Sequence, residues 1–401
     1  MRISTPWFFQ RGLAAIERTQ AELARTQQQL ASGRRLLAPA DDPAATGRAL
    51  DLDQALALNR QYQANAEHAV NRLSREESVL TSVANLLQRV RELTVQGNSP
   101  VLADEDRASI AQEIRHRLDE LLDLANSRDA SGDYLFSGHS SRTRPFTLAA
   151  GGAVRYAGDQ GRRELQIGSE TRVDISDSGS DVFLEIRNGN GTFAVAADAG
   201  NTGSAVIDQG SITDPSQWDG GSYTIGFSDA TGTLRYTVRD AGGATIASGD
   251  YADGAAIGFR GISVTLSGQP AVGDEFTVAP SAHQDMFATV RSVLDALAIN
   301  GTGTTSATRR ANALARALAD IDQALEKTVE VRARIGARLG TVESEQETNA
   351  DFELYLQENI SAIRDVDIAE AITRLTRGSA SLEAAQRSFV AIQNLSLFDF
   401  L

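Results

Sequence analysis

The chain has 401 residues, a formal net charge of −15, no cysteine and a single lysine, Lys327. These features exclude a disulfide framework, thiolate metal ligation and thiol catalysis, and they argue against broad nucleic-acid binding. No apolar run approaches the length of a membrane span, and residues 1–9 are too short an apolar segment for a secretory signal.

Ile16, Leu23, Leu30 and Leu37 recur every seven residues, and no Pro or Gly interrupts residues 13–32. That period predicts a helix with one narrow apolar seam that needs a partner. Leu36-Leu37-Ala38-Pro39-Ala40-Asp41-Asp42-Pro43 ends it. Asp42 before Pro43 reads as the N-cap and first residue of a new helix, because proline lacks a donor where none is needed. This second helix runs to about Gln96, where Gly97-Asn98-Ser99-Pro100 stops it. Leu73, Leu80 and Leu87, with Val83 and Val90, mark its buried face. At 1.5 Å per residue it spans about 80 Å, far too long for a compact domain. Asp104 is expected to cap a further helix through Ile110, Ile114, Leu118 and Leu121.

At Gly132 the texture changes, and 24 of the 34 glycines lie between Gly138 and Gly273. Short alternating segments such as Leu234-Arg235-Tyr236-Thr237-Val238 and Ile262-Ser263-Val264-Thr265-Leu266 read as strands. Asn188-Gly189-Asn190-Gly191 and Asp219-Gly220-Gly221 supply the turns between them. The stretch reads as an inserted β domain. Helical texture returns at about Gln284, with Met286, Val290, Val293 and Leu297 facing inward. From about Ser306 a long helix carries Leu314, Ile321, Ile335, Val342, Leu356 and Ile363 on a seven-residue grid. Asp367-Ile368-Ala369-Glu370 then reads as a capping box for the last helix, with Val366 as its hydrophobic lead-in. That helix repeats the opening pattern at Ile368, Leu375, Leu382 and Phe389. The positions three further on, Ala371, Gly378, Ala385 and Ile392, are mostly small and permit close approach.

Two matching seams at opposite termini imply that the chain ends meet. The expected fold is mainly α with an inserted β domain, a long coiled-coil-like helical rod built from both termini. The expected divisions are a terminal helix over 1–41, half of the rod over 42–137, the β domain over 138–283, the other half over 284–364 and a terminal helix over 365–401. Two helices alone make a poor core, so the seam residues Ile16, Leu23, Leu30, Leu37, Ile368, Leu375, Leu382, Phe389 and Ile392 are the candidate assembly interface. Arg11, Arg18 and Arg25 form a seven-spaced basic stripe, read either as a solvated face or as a partner for acids of a neighbouring subunit.

No catalytic, cofactor or metal constellation is legible. His68, His116, His139 and His283 are dispersed, with no second ligand at helical spacing. Ser140 lacks the glycine-x-serine-x-glycine frame. Asp174, Asp177 and Asp181 lack the spacing and terminal Glu of a calcium loop. Asn190 and Asn300 each open an Asn-Gly-Thr triplet, a pattern common by chance.

Several strings resemble the flagellin family of bacterial flagellar axial proteins. Leu30-Ala31-Ser32-Gly33-Arg34-Arg35-Leu36, followed by Pro39-Ala40-Asp41-Asp42-Pro43, resembles its N-terminal signature. Arg332-Ala333-Arg334-Ile335-Gly336-Ala337 and Arg364-Asp365-Val366-Asp367-Ile368-Ala369-Glu370 resemble its C-terminal helices. Together these strings cover both helical arms in the right order. Gly132-Asp133-Tyr134-Leu135-Phe136-Ser137-Gly138 and the ending Leu395-Ser396-Leu397-Phe398-Asp399-Phe400-Leu401 resemble the branch that joins hook to filament. Gly273-Asp274-Glu275-Phe276-Thr277-Val278 is similar to returning strands in such inserts; the rest of the middle matches no pattern. The resemblance implies a structural subunit, not an enzyme, exported unfolded through the flagellar type III channel to the extracellular flagellum. The partners it implies are copies of itself in a ring, a hook-side hook-associated protein, flagellin or other filament-side subunits, and an export chaperone on the C-terminal region. It implies no cofactor, nucleic acid or membrane. Flagellin itself is the alternative.

Overall fold

A first helix, α1 (Thr5–Ser32), ends where Gly33 turns left-handed at a φ of 71°, a conformation that strains an L side chain. Two long helices follow the expected breaks: α2 (Pro43–Gly97) and, after α3 (Asp104–Ala125) and α4 (Met286–Leu297), α5 (Thr304–Arg364). The last, α6, covers Ile368–Asn394. This computed structural model describes residues 5–149, 151–229, 232–301 and 303–394. Residues 395–401, whose string carried part of the family resemblance, lie outside the described residues. Among the described residues, no helix is long and apolar enough to cross a membrane.

The caps follow the sequence with one exception. The Asp42 carboxylate accepts the Ala45 N–H at 2.9 Å and opens α2. Asp285 and Asp367 do the same for α4 and α6, accepting from Ala288 and Glu370 at 2.6 and 3.0 Å. Asp104, expected as a cap, is instead the first residue of α3, and Ala103 holds the cap position. There Asp104 pairs with Arg107 at 2.9 Å, and its other oxygen accepts the Gly301 N–H at 3.3 Å.

The chain divides into two units, Ala66–Glu343 and Met1–Asn65 with Ser344–Leu401. In the first, the heptad positions of α2 (Leu73, Leu80, Leu87) are buried with Ile114 and Leu121 of α3, Val290 and Val293 of α4, and Leu314, Ile321 and Ile335 of α5. This core does not stop at the helices. Phe136, Phe146, Ile167, Val173 and Phe183 belong to it, and Phe146 and Phe183 pack on Phe287 of α4 with ring centroids 5.4 and 6.0 Å apart. A π-helical turn at Ser180–Leu184 presents Phe183.

A second core begins at Phe193. Its five-stranded antiparallel sheet runs in the order Thr245–Asp250, Leu234–Asp240, Tyr223–Asp229, Glu275–Pro280, Phe193–Ala197. Ile262–Ser267 pairs with Ala256–Phe259, Val206–Ile207 and Ser211–Ile212 to cover it. Phe193, Ile225, Val264, Phe276 and Val278 fill the space between. The stretch expected as one β domain over 138–283 thus holds residues of two cores. Glycine and short strands look alike in both, so composition does not reveal the division.

A buried ionic network fixes residues 174–181 to the helices. Asp177 takes both arms of Arg338 at 2.8 and 3.1 Å, and Asp181 pairs with Lys327 and Arg334 at 2.9 and 2.5 Å. Arg72 donates to the Ile175 carbonyl at 3.0 Å and pairs with Asp129. The three aspartates noted at 174, 177 and 181 face cations, and among the described residues no group of three or more acids or histidines is placed to hold a metal. Glu76 is fully buried beside Asp177, and burial pushes its carboxyl well above the usual range.

Candidate assembly interface

In the terminal unit the two outer helices pair with each other. Phe9 of α1 meets Phe389 of α6 edge-on with ring centroids 5.8 Å apart. A β-carbon added at Gly12 would sit 3.3 Å from Phe389, and one at Gly378 would sit 3.1 Å from Leu23. The glycines therefore set how closely α1 and α6 approach. Ile16, Leu23 and Leu30 on α1, with Leu375, Leu382 and Phe389 on α6, are half-buried along this contact. Leu37 and Ile368 are exposed. Leu37 sits past the end of α1, because Gly33 stops that helix before the heptad grid reaches it, whereas Ile368 is the first residue of α6. Ile392 is helical, but its side chain lies outside the described residues.

The joint between terminal helices and the long pair is built by the residues that carried the family resemblance. The Arg35 N–H donates to the Arg364 carbonyl at 2.7 Å, and the Val366 N–H donates to the Gly33 carbonyl at 3.0 Å. The Arg35 guanidinium reaches the Ile363 carbonyl at 2.7 Å, and buried Gln29 donates to the Arg35 carbonyl at 2.7 Å. Asp41 accepts the N–H groups of Leu37 and Ala38 at 3.0 and 3.1 Å and pairs with Arg25 at 2.5 Å. Those backbone donors, Ala38 first, hold its carboxyl below the usual carboxylate range. Arg25 of the predicted basic stripe is therefore tied within its own chain. Arg11 lies 4.1 Å from the centroid of the Trp7 ring.

Beyond the joint the unit continues as two antiparallel helical stretches. Asn59 of α2 donates to the Asn349 carbonyl at 2.7 Å, Gln63 donates to the Gln346 carbonyl at 2.8 Å, and Arg60 pairs with Glu353 at 2.9 Å. Two helices leave most of each surface uncovered. Among the described residues, only Ala45, Ala49, Leu356, Val366 and Ala371 are fully buried apolar residues of this unit. It nevertheless carries 11 of the 16 exposed large apolar side chains among the described residues. Among them, Ile368, Ile372 and Val390 share one stripe of α6, about a quarter turn from the seam at 100° per residue. Heptad reading missed Ile372 and Val390, because an apolar residue off the repeat is unremarkable until its neighbours are known.

The residues raised as possible chemistry are accounted for otherwise. All four histidines are exposed. The Ser140 hydroxyl donates at 2.8 Å to Asp159, which also collects the N–H groups of His139, Ser140 and Gly161 and is held down at about 2 by them.

Comparison with known proteins matches "Bacterial flagellin N-terminal helical region" over residues 3–141 and "Bacterial flagellin C-terminal helical region" over residues 318–401. Residues 196–280, of which only 273–278 carried a resemblance in the sequence, match "Flagellar hook-associated protein 1, D2-like domain". Flagellar hook-associated protein 3 of Salmonella typhimurium is 36% identical over 186 residues, which is 46% of this chain and 58% of that protein. The match thus spans a little over half the length of that relative. The crystal structure of flagellar hook associated protein-3 from Legionella pneumophila aligns with a TM-score of 0.76 at 31% identity, covering 78% of this chain and 98% of that one. Xanthomonas campestris FlgL aligns at 0.72 with 35% identity, covering 77% and 99%. The flagellin FlaB1 of Treponema pallidum is 30% identical over 188 residues, 45% of this chain and 60% of that protein.

Proposed function

Since the chain belongs to the flagellar hook-associated protein 3 family, we propose that it is a structural subunit of the bacterial flagellum that joins hook to filament. The observation that carries this reading is the terminal unit, with its many uncovered apolar side chains and its few buried ones. An exposed apolar surface of this kind marks a site that other chains cover. The α1–α6 seam holds the two termini of one chain together, and the stripe of Ile368, Ile372 and Val390, with Leu13 on α1, meets neighbouring copies. The original nine-residue interface is thereby divided. Ile16, Leu23, Leu30, Leu375, Leu382 and Phe389 preform the building block, and the exposed residues assemble it.

The partners on this reading are copies of the same chain, a hook-side protein below and flagellin above, with a chaperone on the C-terminal helix before export. Catalysis has no part in it. A flagellin would share the architecture, and a deletion strain separates the two. Loss of a junction leaves hooks without filaments while flagellin accumulates in the medium. Loss of a flagellin leaves bare hooks with no flagellin outside. Electron microscopy with an immunoblot of the medium reads both, and bare hooks without secreted flagellin would overturn the assignment.

A further inference from the structure

We propose that the outward face of α5 in the terminal unit, centred on Phe352 and Tyr355, docks into the groove between α1, α6 and the joint of a second copy of this chain. The proposal rests on the assembly reading above and names which two different surfaces meet. Phe352 and Tyr355 are both exposed, yet their rings already stack with centroids 6.2 Å apart and planes inclined by 17°. Rings three residues apart lie one above the other on a helix and attract each other, and the pre-ordered aromatic ridge they form loses little entropy on binding. Its own helix supplies an acidic frame, with Glu353 paired to Arg60 of α2. Residues 344–363 contain five acids and no Lys or Arg, and Glu347, Asp351 and Glu358 form no ion pair among the described residues.

The receiving surface has the opposite character. A groove of about 640 Å³ has Leu23 and Leu36 among its apolar lining, with Arg374 and Arg377 also lining it. Arg377 forms no ion pair among the described residues, and the pair from Arg374 to Glu370 is a loose 3.9 Å. Of the three acids in the lining, Asp41 is engaged by Arg25 and backbone amides and Asp42 by the start of α2, while Glu22 forms no ion pair among the described residues. A mostly polar lining, with Leu23 and Leu36 as its apolar floor and two loosely held arginines, thus faces an aromatic ridge with an acidic frame. Charge complementarity of this kind selects the partner and its register. Ridge and groove are different patches of one subunit, so the contact is heterologous. Each copy engages one neighbour through its ridge and another through its groove, the arrangement that builds rings and helices rather than closed pairs.

The absence of cysteine from the chain gives a clean test. Full-length chains carrying Tyr355→Cys alone and Ser381→Cys alone are assembled on flagella of a deletion strain, singly and as a mixture, then mildly oxidised. The mixture should give disulfide-linked dimers and each single variant none, while one chain with both substitutions should give a ladder. Dimers from either single variant, or no dimers in a mixture retained on flagella like the parent, would overturn the docking while leaving the junction reading intact. Failure of the unsubstituted chain to be retained on flagella would overturn both. As a second measure, Asp351→Arg with Glu358→Arg, and separately Arg374→Glu with Arg377→Glu, should each lower retention at least tenfold. Combining all four in one chain should restore it, and absence of that rescue would count against the pairing.

Discussion

Truncating the exposed stripe of α6 tests the assembly reading most directly. In the isolated chain Ile368, Ile372 and Val390 keep 59%, 48% and 54% of their surface. Full burial of such a side chain is worth about 1.5–3 kcal/mol, so the half still uncovered contributes about 1 kcal/mol each when a neighbour covers it. Changing all three to Ala should therefore weaken association by about 3 kcal/mol, or roughly two orders of magnitude at 1.4 kcal/mol per tenfold. The isolated chain should hardly notice, because exposed helical sites away from special contacts shift stability by about 0.5 kcal/mol or less. The assay titrates purified full-length variant onto flagellar ends isolated from a deletion strain and reads the half-saturating concentration, with urea unfolding of the free chain as control. Half-saturation at the parental concentration would refute the reasoning, since the stripe would then face solvent in the assembly. A large fall in stability of the free chain would refute it too, by making the stripe part of the monomer's own core.

Three further outcomes follow from the packing. Joining Asn188 to Ala282 through a short linker should remove the second core and leave the helical unit folded. The Asn188 N–H already donates to the Ala282 carbonyl at 3.0 Å. Excision from Gly138 should instead collapse helix content by circular dichroism, because each of Phe146 and Phe183 would be stripped from the helical core at about 3–5 kcal/mol. Gly378→Leu should part α1 from α6, costing about 1–3 kcal/mol as overpacking does, and trypsin should then cut faster at Arg18, Arg25 and Arg377; parental cleavage rates would contradict this. Glu76, raised by burial and by Asp177 against the pull of Arg72 and Arg338, keeps in the folded state a proton that the unfolded chain releases near 4.5. Stability should therefore fall as pH rises above about 4.5 until the folded carboxyl ionises, and Glu76→Gln should flatten that fall in urea titrations; an unchanged slope would sink the idea.

The helical architecture was legible because its signals are local and periodic. Leu73, Leu80 and Leu87 or Asp42-Pro43 need no knowledge of the rest of the chain to be read. The seam itself was read one step too far at Leu37, since a heptad grid does not feel Gly33 reversing the backbone. What makes Ile372 and Val390 informative is that nothing covers them, a property of three-dimensional packing that no spacing encodes. The division between the two cores was hidden for a related reason. Phe146 and Phe193 sit in similar glycine-rich surroundings, and only the partner each ring touches tells them apart.

The bond from the Arg35 N–H to the Arg364 carbonyl has a consequence for how the chain reaches its folded state. It ties residues 329 positions apart, and closing so long a flexible loop costs about 5 kcal/mol by the (3/2)RT ln n rule. The cost shrinks once the intervening Ala66–Glu343 has condensed into its own unit. The two ends should thus be the last parts to close. During synthesis α1 has no partner until the final residues of α6 have been made, because its whole seam is answered by residues 375–389. A ribosome halting a few dozen residues short would release a chain whose first helix stays unpaired.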